Sequence, residues 1–226
     1  MPDAASARSG SSTARISSHT VGAFQENSYI VVDEATSRAV IVDPGAEGDR
    51  LVRAIRATGA ELEAIWLTHA HVDHVGGIAA VRRVWTVPIL LHAADAPLYA
   101  RAGEQAAHFG LPFDDPPDYD TELRDGATVT VGGLEFSVLH TPGHAPGHCV
   151  FVGHGVVLAG DLLFAGSIGR TDLPLSDARQ MSASLARVSA LAPELVVYPG
   201  HGPATTIGRE NESNPFLNGV ARVVRG

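Results

Sequence analysis

The stretch His69-Ala70-His71-Val72-Asp73-His74 puts four side chains able to bind a metal into six residues, directly behind the apolar run at residues 62–68. A run built from Leu, Ala, Ile and Trp in that setting reads as a buried strand, so the cluster sits on the loop where the strand ends. In extended backbone His69 and His71 project to the same side. Behind them Gly76-Gly77 lets the chain start a helix without a side-chain clash, so Asp73 and His74 fall past the turn and can face a second point. One short loop can therefore serve two cations.

Three further candidates stand at turns behind apolar runs: His144 in Thr141-Pro142-Gly143-His144, Asp161 in Ala159-Gly160-Asp161, and His201 in Pro199-Gly200-His201-Gly202. A glycine precedes each, as a tight strand-end turn requires if a side chain is to be held rigidly at the rim of a site. Any one of them alone reads as an ordinary core histidine or turn aspartate. Their recurrence beside the six-residue cluster reads as a metal centre. Its donors are imidazoles and carboxylates, because the single cysteine, Cys149, can build neither a thiolate zinc site nor an internal disulfide. Such donors suit zinc and also accept iron or manganese.

Composition removes other chemistries. The 16 basic residues are all arginine, which excludes a Schiff-base lysine, a P-loop lysine and a lysine general base. A formal net charge of -9 disfavours nucleic acid or an anionic membrane reached through diffuse electrostatics. No apolar run approaches the ~18 residues that span a bilayer. Residues 1–14, rich in Ala and Ser, lack the apolar core of a secretory signal and are expected to be a disordered lead-in to a cytoplasmic protein.

Along the rest of the chain, residues 27–33 and 38–43 read as a hairpin, 49–58 and 75–85 as helices, and 88–91 as a short strand. Three prolines and five aspartates make residues 111–125 a solvated surface connection. Beyond it, 128–131, 134–140, 149–152 and 156–159 read as short strands. A helix over 176–191, a buried strand over 195–198 and a terminal helix over 214–225 follow. This order predicts an α/β protein whose sheets are covered by helices, in two halves that meet near the acidic connection. One domain is expected over residues 15–212, with a helical tail over 213–226 packed on it.

With His69-x-His71-x-Asp73-His74 intact, the cluster resembles the signature of the metallo-β-lactamase fold hydrolases, and the resemblance spans roughly Ile16 to Gly219. It implies a four-layer αββα sandwich with the metal site at one edge of the two sheets. It also implies a ligand set: two divalent ions, zinc by preference, the first on His69, His71 and His144, the second on Asp73, His74 and His201, with Asp161 bridging them. Coordination lowers the pKa of water from about 15.7 to about 7, so a nucleophile forms at neutral pH without serine, cysteine or lysine.

The ordered series Thr141-Pro142-Gly143-His144, Gly160-Asp161, Gly169-Arg170-Thr171-Asp172, Pro199-Gly200-His201 and Asn214-Pro215-Phe216 is similar to the short glyoxalase II-like hydrolases. That resemblance implies hydrolysis of a hydroxyacyl thioester such as S-lactoylglutathione by a metal-bound hydroxide, with Asp73 as the catalytic residue that orients the nucleophile. No counterpart of the helical glutathione-binding domain of full-length glyoxalase II is expected in these residues. Arg170 is the candidate to hold the carboxylate of a thiol carrier, against a structural pair with Asp172. His148 reads as support for a ligand, and Cys149 and Tyr198 as core. The chief rival is a persulfide dioxygenase with one iron on His69, His144 and Asp161, followed by a lactonase or other hydrolase of the fold. A non-catalytic metal-binding module is remote, since a structural zinc site needs four closed ligands and not seven.

Overall fold

The computed structural model describes residues 14–223. The Val- and Ile-rich runs at residues 26–33 and 38–42 become strands because both of their faces find apolar cover, whereas residues 128–131 and 134–138 alternate buried and exposed. In chain order the first half holds β1 (Ala14–Val21), β2 (Glu26–Asp33), β3 (Arg38–Val42), α1 (Gly48–Ala57), β4 (Glu61–Trp66), α2 (Val72–Val75), α3 (Ile78–Arg82), β5 (Ile89–His92), α4 (Ala96–Ala100), α5 (Ala102–Phe109) and β6 (Thr121–Leu123). The second half holds β7 (Thr128–Val131), β8 (Leu134–His140), β9 (Cys149–Gly153), β10 (Val156–Gly160), the ribbon β11 (Leu163–Phe164) and β12 (Ser167–Ile168), α6 (Ala178–Ser189), β13 (Val196–Pro199), β14 (Thr205–Thr206) and α7 (Ile207–Ser213).

Strands β1 to β6 lie side by side in sequence order, the first two pairings antiparallel and the remaining three parallel. The second sheet runs β14-β13-β10-β9-β8-β7, and its parallel pair is β10 with β13. Helix α6 makes the crossover that a parallel pair requires. The chain changes sheets between Leu123 and Thr128, at the end of the acidic stretch, so the two halves meet where the sequence places the junction.

The pleat sends alternate residues to opposite faces, and three apolar layers result. Between the sheets, Tyr29, Val31, Val40 and Val42 meet Phe136, Val138, Phe151 and Leu158. Trp66 fills the centre, 5.5 Å from Phe136 and 5.1 Å from Phe151 between ring centroids. Outside the first sheet, Ile30, Ile41 and Ile65 pack with Leu51 and Ile55 of α1 and Ile78 and Val81 of α3. Outside the second, Val150, Val157 and Val197 pack with Met181, Leu185 and Val188 of α6. The layers are helix, sheet, sheet, helix, the αββα sandwich of the metallo-β-lactamase fold. Among the described residues no helix is long and apolar enough to cross a membrane.

Several elements differ from the sequence pattern. The helix expected over 75–85 is the shorter α3, and a separate turn, α2, precedes it, because the Gly77 N–H donates to the Pro44 carbonyl at 2.7 Å instead of continuing the helix ladder. Helices α4 and α5 were not anticipated. Part of the acidic connection is strand β6, which pairs with β5 and buries Leu123. The rest is pinned to the outer face of α3 by Arg83 to Asp114 at 2.9 Å and Arg82 to Asp120 at 2.7 Å. The last helix lies upstream of residues 214–225: Pro215 forces Asn214 into extended backbone, which ends α7, and residues 215–219 turn. Residues 1–13 of the expected lead-in and 224–226 of the expected tail lie outside the described residues, and Ala14 already belongs to β1.

Candidate metal centre

Every candidate ligand lies on a segment leaving the C-terminal end of a strand: residues 69–74 after β4, His144 after β8, Asp161 after β10 and His201 after β13. These four segments converge at one edge of the sandwich. The His201 turn leaves the second sheet but is clamped to β2 of the first. There the Asn27 N–H donates to the Gly200 carbonyl at 2.7 Å, and Asn27 Nδ2 donates to the Pro199 and Gly202 carbonyls at 3.1 and 2.9 Å. A Cβ on Gly200 would fall on Asp161 Oδ1 and His74 Cε1. Gly160, at φ +46, lies against Thr68 and His148. At these two positions glycine serves the close approach of separate segments as well as the turn.

Ring nitrogens of His69, His71 and His144 lie within 4.8 Å of one another, and so do the ligand atoms of Asp73, His74 and His201. Asp161 stands between the two groups. Its Oδ1 is 3.4 Å from His74 Nε2, and its Oδ2 is 3.4 Å from His144 Nε2 and 3.5 Å from His201 Nε2. The structure thus brings all seven candidate ligands together. Asp43, His69 and His74 also fall within 4.8 Å. The Asp43 oxygens, however, already accept the Thr68 N–H at 2.7 Å, the Thr68 hydroxyl at 2.6 Å and His74 Nδ1–H at 3.0 Å.

The rings are oriented from behind. Because the Thr68 hydroxyl gives its proton to Asp43, His69 Nδ1–H must donate to it, at 3.0 Å. His144 Nδ1–H donates to the Arg170 carbonyl at 2.9 Å and His201 Nδ1–H to the Phe24 carbonyl at 3.1 Å. With His74 tied to Asp43, four imidazoles turn Nε2 toward the centre. His71 differs, presenting Nδ1 at 2.9 Å from His144 Nε2. His69 Nε2, His74 Nε2 and Asp161 Oδ1 are buried without a hydrogen-bond partner. Leaving such an atom unpaired costs about 1–3 kcal/mol, and inward-facing imidazole and carboxylate acceptors are the donor set that divalent transition metals take. The residues fit the metal centre that the fold implies.

Electrostatics divide the cluster. Burial, reinforced by neighbouring imidazoles, holds His69 well below its usual value, and burial with the adjacent His144 brings His71 down to about 3. Neutral imidazole is the metal-binding form. Burial alone would lower His74 and His201 too. Instead Asp161 and Asp73 hold His74 well above its ordinary value and His201 at about 9. Burial would raise the Asp161 carboxyl, but His74, His201 and His144 keep it well below the carboxylate range. The second group therefore attracts positive charge.

His148 belongs to neither group of three. Its Nε2 accepts the Asp161 N–H at 3.1 Å and its Nδ1 lies 2.9 Å from the Thr141 hydroxyl, so it holds the backbone that carries Asp161. Arg170 reaches the centre through its carbonyl. Its exposed guanidinium is engaged by Asp172 through two bonds of 2.8 and 2.7 Å. Cys149 is buried, and Tyr198 packs half-buried against Tyr29, with ring centroids 5.4 Å apart. Two buried aspartates escaped the sequence reading. Asp43, the last residue of the expected hairpin, sits at φ +49, a left-handed conformation that aspartate tolerates. Asp95 accepts the N–H groups of Ala70 and Gly147 and so straps the 69–74 segment to the His144 turn. The Asp-Pro-Gly behind β3 could have signalled the first, whereas nothing in Ala93-Ala94-Asp95-Ala96 marks the second.

The model of the Metallo-beta-lactamase superfamily matches residues 21–201. The chain is 39% identical over 204 residues to hydroxyacylglutathione hydrolase GloC of Haemophilus influenzae, covering 88% of this chain and 95% of that protein. Among solved structures it is similar to TTHA1623 in a di-iron-bound form, with a TM-score of 0.83 and 44% identity over 88% of this chain and 99% of the other. It is also similar to the BLEG-1 B3 metallo-beta-lactamase, with a TM-score of 0.83 and 36% identity over 90% and 99%.

Proposed function

The chain belongs to the metallo-beta-lactamase superfamily as a metal-dependent hydrolase, and from that premise we propose that it cleaves a hydroxyacyl thioester of the S-lactoylglutathione kind. The observation that carries the reading is the second group, Asp73, His74 and His201, beside the same Asp161 carboxylate that reaches His144 of the first group. A single iron on His69, His144 and Asp161 would leave that second group without a role. Similarity to GloC supports a thioester as the substrate.

Divalent ions held there, zinc or else iron or manganese, would lower the pKa of water toward neutrality and would stabilise developing negative charge. The side chains divide the remaining work. Asp161, Asp73 and the five histidines would hold the ions, and Asp43, Thr68 and two carbonyls keep four of the rings turned inward. Asp73 Oδ2 lies 3.3 Å from His201 Nε2, on a side chain that keeps some solvent access, and is the atom that orients the attacking water. The departing thiolate is stable enough to leave without a protonating acid. Arg170 meets the carboxylate of a thiol carrier by exchanging Asp172 for it.

The test compares S-lactoylglutathione hydrolysis, β-lactam hydrolysis and persulfide-dependent oxygen uptake on protein of measured metal content. Two ions per chain are expected, with thioester turnover that falls by about 10²-fold or more in Asp73→Ala. One iron per chain with oxygen uptake, or cleavage of the β-lactam alone, overturns the reading.

A further inference from the structure

Among the described residues five large apolar side chains are exposed, and two of them touch. Phe24, 41% exposed, and Phe109, 54% exposed, meet edge to face with ring centroids 5.1 Å apart. Both sit on parts that build the metal centre. Phe24 lies on the turn between β1 and β2, and its carbonyl takes the Nδ1–H of His201 at 3.1 Å. That turn is braced: the Gly22 N–H donates to Glu47 Oε1 at 3.0 Å, and Glu47 is itself paired with Arg50 at 3.0 Å. Phe109 ends α5. One turn earlier, on the same helix face, Gln105 Oε1 accepts the N–H of Val72 at 3.4 Å, the first residue of the helix that carries Asp73 and His74. Phe164 adds its ring edge-on to His201 at 5.9 Å.

Three apolar rings therefore stand beside the group of Asp73, His74 and His201: Phe164 packs on the His201 ring itself, and the touching pair Phe24 and Phe109 stands on the two segments hydrogen-bonded to His201 and to the helix of Asp73 and His74. Adjacent phenyl rings left in water beside a polar site mark a surface that a ligand covers. A lactoyl group, with one methyl and one hydroxyl, has too little hydrocarbon to cover it. We propose that Phe24 and Phe109 form a specificity-determining subsite for the hydrocarbon chain of the acyl group, so that the preferred substrates are thioesters of alkyl or aryl acids longer than lactate. The proposal rests on the thioester reading of the site.

The test uses the metal-loaded full chain, as wild type and as Phe24→Ala, Phe109→Ala and Phe24→Leu. One series measures kcat/KM on acetyl, butyryl, hexanoyl and octanoyl thioesters of N-acetylcysteamine. A second measures, by calorimetry, the affinity of the uncleavable methyl, butyl, hexyl and octyl thioethers of the same thiol. In wild type both series should climb by roughly three- to fourfold per methylene until the rings are covered. They should flatten in the two alanine variants and persist in Phe24→Leu. Flat wild-type series, or alanine variants as steep as wild type, overturn the subsite. If thioesters are cleaved with no chain-length dependence, the subsite fails and the thioester reading stands. If the thioether series climbs in wild type and flattens in the variants while no thioester is cleaved, the subsite stands and the thioester reading fails. A wild-type dimer in sedimentation that the alanine variants dissociate, with both series flat, assigns the two rings to a second copy of the chain and overturns the proposal.

Discussion

Asp43 offers two oxygens to three buried donors, the Thr68 N–H, the Thr68 hydroxyl and His74 Nδ1–H. Through them it aims two of the candidate ligands without touching the centre itself. Removing a partner that orients a liganding histidine typically costs about 10- to 100-fold in metal affinity, and each orphaned donor costs about 1–3 kcal/mol of stability. Asp43→Ala is therefore expected to weaken zinc binding about 10- to 100-fold in competition with a chromophoric chelator and to lower the urea midpoint. Asp43→Asn keeps an acceptor and tolerates the φ of +49, so it should lose less on both counts. Unchanged affinity in Asp43→Ala would mean that the rings are not aimed from behind. The ligands themselves are legible in the sequence because they stand together or beside glycine at strand ends. Asp43 is not, since the residues it bonds, Thr68 and His74, lie 25 and 31 positions away.

The element that joins the two halves of the centre is the helical turn Ala93–Asp95 behind β5. Asp95 grips the 69–74 segment of the first sheet and the His144 turn of the second. Burial pushes its carboxyl from 3.8 up to about 6, against the pull of the Gly147 and Ala70 N–H groups. An acid raised on folding favours the folded state most below the unfolded value and loses that contribution as pH rises through the folded one. The term is present in full below about pH 4 and is gone above about pH 6, a swing of about 3 kcal/mol. In urea unfolding of chelator-treated protein, the stability of wild type relative to Asp95→Asn should fall by about 2–3 kcal/mol between pH 4 and pH 7. A difference that does not change with pH defeats this assignment. Helical spacing announces α1, with Leu51, Val52 and Ile55 on its buried face. The break between α2 and α3 is set by the Pro44 carbonyl, a partner from another segment.

At the scale of the molecule, the second group of ligands spans the sandwich: Asp73 and His74 follow the first sheet and His201 the second. Ions bound there tie the sheets together and stabilise the folded state alone. At free metal a hundredfold above Kd, one site adds about 2.7 kcal/mol, or about 5–10 °C in Tm for a domain of this length. Chelation should lower the melting temperature by at least that much in scanning calorimetry, and His201→Ala should shrink the drop. Equal melting temperatures with and without metal would deny the coupling. By itself the amino-acid sequence determined the donor set, its placement at strand ends and the layered α/β order, because ligand chemistry and hydrophobic periodicity are properties of chain neighbours. Only the tertiary structure decided which nitrogen of each ring faces inward, that Asp172 engages Arg170, that Asp43 and Asp95 hold the converging segments, and that Phe24 meets Phe109. Most of these join segments remote along the chain, and the rest turn on a side-chain geometry that no local pattern encodes.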